Sequence, residues 1–228
     1  MKKKSLWQSR LVLLMIICMV FGLTACGGGK SSEEGSEQKA EQEKAVEVTD
    51  GKYAELLAGG LNKEQFQFVL AHLPGTLEET LSMNDLSNLL LYVSEYAYND
   101  SPEVSIEGWY EGYDGNMYFN LSDVNNMIKI VTDFQFAEEN NGQCRTASVK
   151  GDTFVFLTAS PSTVYKADID VAMIEKEEMT VFYTVEIVTM EDGSWSEIRT
   201  ATLCKNADGL YQIKEISTDE VIVPTSQK

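Results

Sequence analysis

The chain has 228 residues, with 18 Lys and Arg against 36 Asp and Glu, for a formal net charge of −18. That excess of acid argues against nucleic acid as a partner, because binding to a phosphate backbone depends on Lys and Arg neutralising it. With 43% hydrophobic residues and four cysteines, the chain has enough apolar side chains for a core of ordinary size and too few cysteines for a disulfide scaffold.

In chain order, the first element is an export signal. Lys2, Lys3, Lys4 and Arg10 form a positive start with no acidic residue in positions 1–25, and an apolar run of about 13 residues extends from Leu11 to Leu23. A spanning helix needs about 20 apolar residues, so this run reads as the core of a signal peptide. It ends in Leu23-Thr24-Ala25-Cys26, followed by three glycines. This tetrad resembles the lipobox of bacterial lipoproteins. The resemblance implies cleavage before Cys26, a diacylglyceryl group on its thiol, and an extracytoplasmic protein anchored to the membrane by lipid. Loss of residues 1–25 removes four positive charges and leaves 14 bases against 36 acids, or −22. Attachment then rests on the acyl chains, since an acidic surface is not drawn to anionic headgroups.

Residues 26–50 read as an acidic tether. They consist mainly of Gly, Ser, Glu, Gln and Lys, and bury too little apolar surface to offset the entropy of ordering. The folded part is expected over 51–228 as one α+β domain, with 51–100 as a helical subdomain or cover.

The first half of that domain carries helical spacing. Tyr53 to Leu57 makes a short stripe stopped by Gly59-Gly60. Asn62 caps a second helix bearing Phe66, Val69, Leu70 and Leu73 on one face and ending before Pro74-Gly75. A third follows Ser82 with Leu86, Leu89, Leu90, Val93, Tyr96 and Ala97, and a fourth carries Val124, Met127, Ile128 and Val131 with Ser122 as its expected cap. From Cys144 onward the period changes to that of strands. Cys144–Val149 and Thr153–Ala159 flank a turn, and Val164–Ile174, Met179–Met190, Trp195–Cys204 and Leu210–Ser217 follow with Asp192-Gly193 and Asn206–Gly209 between them. The expected fold is helices packed on a curved antiparallel sheet formed mainly by residues 140–217.

The closing hairpin, Arg199–Leu203 to Gly209–Ile213 through an Asx-Gly turn, is similar to the last strands of NTF2-like domains. The resemblance implies a cone-shaped cavity between helices and sheet. That fold hosts enzymes, ligand binders and structural modules alike, so it does not choose a function.

Candidate chemistry is sparse. His72, the only histidine, stands at a helix end, where a local capping role fits it better than a metal or triad role. Motifs of metalloproteases, serine hydrolases and phosphate loops are absent from the chain, and no cofactor or metal is expected. Asp168 and Asp170, with Glu175, Glu177 and Glu178 beyond them, are the carboxylates an acid–base reaction would use; a solvated face is the simpler account in so acidic a chain. Cys144 and Cys204 remain in the exported domain, either paired or, for Cys204, as a plain strand residue. The stretch from Trp109 to Phe119 holds five aromatics, and Trp109, Tyr110, Tyr113 and Tyr118 are the candidate ligand-binding residues, the alternative being a hairpin whose rings cover the core. The leading expectation is a non-catalytic, lipid-anchored domain binding a small ligand or an envelope protein. An enzyme acting on an envelope or extracellular substrate through carboxylates is the alternative, and a transporter's solute-binding lipoprotein is a third.

Overall fold

A computed structural model describes residues 45–78, 81–98, 110–111, 115–144, 146–157, 163–189 and 193–223, and the side chains of these except 94–98 and 110–111. The tetrad at 23–26 that resembles a lipobox, Trp109 and Tyr113 lie outside the described residues. The elements run β1 (Val46–Glu47), α1 (Tyr53–Leu56), α2 (Lys63–His72), β2 (Leu77–Glu78), α3 (Met83–Tyr98), β3 (Tyr110–Glu111), β4 (Asn116–Asn120), α4 (Leu121–Ile128), β5 (Ala147–Lys150), β6 (Thr153–Leu157), β7 (Thr163–Glu175), β8 (Glu178–Thr189), β9 (Gly193–Lys205) and β10 (Tyr211–Ile222). This is a mixed α+β fold in which every ladder between named strands is antiparallel.

Two sheets share the strands. The larger has the order β1-β7-β8-β9-β10-β2 and the smaller β3-β4-β6-β5. The hairpin expected to open the main sheet, now β5 and β6, pairs instead with β4, so the long strands of the main sheet begin at Thr163. The main sheet also reaches back into the stretch read as tether, where Val46 and Glu47 pair with Ile174 and Met173.

The long strands are amphipathic by period. Along β8, Met179, Val181, Tyr183, Val185 and Ile187 are buried while the residues between them are half-buried or exposed. Register continues this face through Ala201 and Leu203 of β9 to Ile216 and Ile213 of β10. Asp170, Lys214 and Asp219 sit at irregularities of the ladders, where an extra residue bends a strand and increases its twist.

Helix α2 fills the space over that face. Its Phe66, Phe68, Val69, Leu70 and Ala71 are all buried, as expected of a helix surrounded by protein and packed between β7 and α3. Asn62 caps it as read from sequence: its side chain accepts from Gln65 N at 2.9 Å, and the Gln65 side chain accepts in return from Asn62 N at 3.1 Å. At α3, Ser82 Oγ accepts from Asp85 N at 3.1 Å. Helix α4 departs from the expectation by one turn of roles. Its cap is Asn120, whose Oδ1 accepts from Ser122 N at 3.0 Å, so Ser122 is inside the helix.

Close approach occurs where Gly59 meets α4. Gly59 has φ of 83°, and a Cβ there would lie 2.0 Å from the carbonyl oxygen of Asn126. Gly59→Ala is expected to lower stability by about 2–4 kcal/mol, the left-handed backbone and the collision acting together. Urea denaturation of the two proteins side by side measures it, and an unchanged midpoint contradicts the close contact.

Candidate functional site

Strand β4 is built to show one face. Met117 and Phe119 point to the core beside Phe154 and Phe156, whereas Tyr118 is half-buried and Asn120 exposed on the other side. The register places position 110 opposite Tyr118 on one flank and Val155 opposite it on the other. The stretch read as aromatic is therefore partly a β-hairpin; of its four candidates the structure describes Tyr118 fully, Tyr110 as a backbone position, and neither Trp109 nor Tyr113.

Two residues along, roughly 7 Å by strand rise, Asn120 opens onto a groove of about 540 Å³ at the start of α4. Asn120, Ser122, Asn126, Lys129, Gln135 and Asp152 line it. Three segments meet there and are tied to one another. Leu121 N donates to Asp152 O at 2.9 Å, joining α4 to the β5–β6 turn. Gly151 N donates to Glu138 Oε1 at 2.7 Å. Asn125 clamps the far wall, accepting from Phe136 N at 2.8 Å and donating to Phe136 O at 3.0 Å. The walls are thus held by hydrogen bonds within the chain. These amide residues went unnoticed in the sequence; the available signal was six asparagines between 116 and 141.

A second polar site lies inside the main sheet and is structural. Arg199 donates through Nε at 2.8 Å and through a terminal nitrogen at 2.6 Å to Glu197 Oε2, and through its other terminal nitrogen to Leu73 O at 3.0 Å. Trp195 Nε1 donates to Glu197 Oε1 at 3.2 Å, and Thr218 Oγ1 to Gly75 O at 2.8 Å. These bonds fasten the end of α2 and its Pro74-Gly75 turn to β9 and β10. Tyr183 pairs with Arg199 across the ladder, and burial pushes its phenol up to about 12 against the pull of the Arg199 charge.

His72 proves to be core. It is 7% exposed, its Nδ1 donates to Phe68 O at 2.7 Å, and its ring lies 4.3 Å from the rings of both Phe68 and Tyr92. Burial pulls its pKa down to about 4, with the Phe68 carbonyl opposing, so it is neutral at pH 7. The expected capping role is not the one it plays: Phe68 O lies inside the helical ladder, four residues before the end of α2, and the ring is buried and uncharged.

The candidate carboxylates fall into two separate groups. Asp168 accepts from Gln67 at 3.1 Å and Asp170 from Thr184 at 3.2 Å, both exposed on β7. Glu175, Glu177 and Glu178 stand at the β7–β8 turn, where a second groove of about 600 Å³ also includes Cys204 and Lys205. Lys205 pairs with Glu177 at 2.9 Å, which raises the lysine's pKa. Cys144 and Cys204 are both free; Cys144 is buried with its sulfur 2.8 Å from Ser87 Oγ, and Cys204 lies on β9. Among the described residues no group of three His, Cys, Asp or Glu side chains is arranged to hold a metal, and no helix is long and apolar enough to cross a membrane.

Compared with protein-family models, with curated proteins and with solved structures, the chain matches none.

Proposed function

We propose that this protein is a lipid-anchored extracytoplasmic domain that binds a small ligand or an envelope protein, without catalysis, through the Tyr118 face and the groove beside it. The observation that carries the location is Leu23-Thr24-Ala25-Cys26 at the end of a short apolar run. Supporting the binding role, a half-buried aromatic ring and a pre-formed polar groove adjoin on β4, whereas the buried histidine and tyrosine titrate far from neutrality. The helices laid over a bulged four-stranded meander also support an NTF2-like arrangement.

Cys26→Ser tests the anchor. The variant is expected to lose labelling by a fatty-acid analogue and to leave the membrane fraction or accumulate as precursor; labelling at the wild-type level contradicts the reading. For the surface, Tyr118→Ala is expected to weaken ligand binding at least tenfold while the melting temperature holds.

A further inference from the structure

The groove at the start of α4 is lined mainly by uncharged polar side chains. In a chain of net charge −18, its lining holds one cation, Lys129, and one anion, Asp152, with the uncharged amides and hydroxyl of Asn120, Asn126, Gln135 and Ser122 between them. The side-chain polar groups of Asn126, Lys129, Gln135 and Asp152 are not used by other described residues. Their backbones, by contrast, are fixed. Lys129 O accepts from Gln212 Nε2 at 2.9 Å, Gln135 O from Asn140 Nδ2 at 2.8 Å, Asp152 O from Leu121 N, and Asn126 O lies against Gly59. The helix end itself is not the attraction, because Asn120 already takes the Ser122 N–H.

We infer that this groove binds a neutral, hydroxyl-rich ligand, an oligosaccharide, with its amides, Lys129 and Asp152 serving vicinal hydroxyls. This deepens the binding role proposed above and rests on it. An amide offers a donor and an acceptor in one plane, and a hydroxyl needs both; a carboxylate accepts and an ammonium donates to complete the set. A free anion meets Asp152, and a free cation meets Lys129, so neither is the natural occupant. The volume suits one or two sugar rings. Tyr118, next along β4 on the same face, supplies the apolar ring surface on which a sugar's C–H face packs.

The test is calorimetric titration of the mature, full-length protein with three neutral probes, the tetramers of N-acetylglucosamine, glucose and xylose, and with tetragalacturonate and tetralysine as charged controls. Saturable binding of at least one neutral probe is expected, weakened at least tenfold by Asn126→Ala/Gln135→Ala with an unchanged melting temperature. Saturation by none of the three overturns the inference, as does tighter binding of a charged control. Binding that survives the double variant but is lost in Tyr118→Ala also overturns it, while leaving the aromatic surface standing. Binding lost in neither variant overturns both readings.

Discussion

Arg199→Met is expected to destabilise the fold by about 3–5 kcal/mol, the cost of breaking a buried ion pair by removing one partner. The Arg199 side chain is 5% exposed and that of Glu197 16%, so without Arg199 a largely buried anion keeps, among the described residues, the Trp195 indole as its donor. The carbonyls of Leu73 and Gly75 lie at the same junction, and losing the bond to Leu73 also loosens the end of α2. The pair itself is a different matter from its breaking. Desolvating two charges costs much of what their attraction returns, so Arg199→Met/Glu197→Leu is expected to recover most of the loss. Guanidinium denaturation of the two single variants and the double variant measures the coupling. Additive losses would show that the ion pair is not the unit that holds the helix.

Acid is expected to remove about 3 kcal/mol of stability through His72 alone. Its folded pKa of about 4 lies below the ordinary 6.5, so between those values the unfolded chain binds the extra proton and the native state does not. The contribution is intact above about pH 6.5, declines as pH falls, and is fully lost below about pH 4. The rings of Phe68, Tyr92 and Tyr165 that pack around the imidazole leave its charged form little solvent. His72→Phe keeps an aromatic ring among them and is expected to flatten the stability profile between pH 6.5 and 4. A variant with the same slope as the parent would place the proton uptake elsewhere.

Much of the helical half was legible because local signals there coincide with tertiary needs. Phe66, Val69, Leu70 and Leu73 recur at helical spacing and are buried, and Asn62 stands where a cap must. Strand existence was legible in the same way from alternation and Asx-Gly turns, as in β8 and the β9–β10 hairpin. Strand partners were not, because a hairpin states only which two strands are adjacent; that β6 joins β4 rather than the meander is decided by contacts distant in sequence. The cap of α4 shows a finer limit: Asn120 and Ser122 are both good caps, and the end of β4 chose between them. The candidate site followed suit. Tyr118 stood out by composition, whereas Asn126, Gln135 and Asp152 became one groove only when α4, the segment after it and the β5–β6 turn were brought together.

The sequence by itself determined the expected address and the class of fold. An export signal acts as a linear segment, and period-2 and period-3.6 patterns are properties of consecutive residues. Only the tertiary structure decided that two sheets form, that Arg199 and Glu197 close on the end of α2, and that His72 is uncharged inside the core. The physical reason is the same in each case. Burial and pairing depend on what the folded chain places around a residue, and those neighbours can lie more than a hundred positions away, as Leu73 does from Arg199 and Gly75 from Thr218.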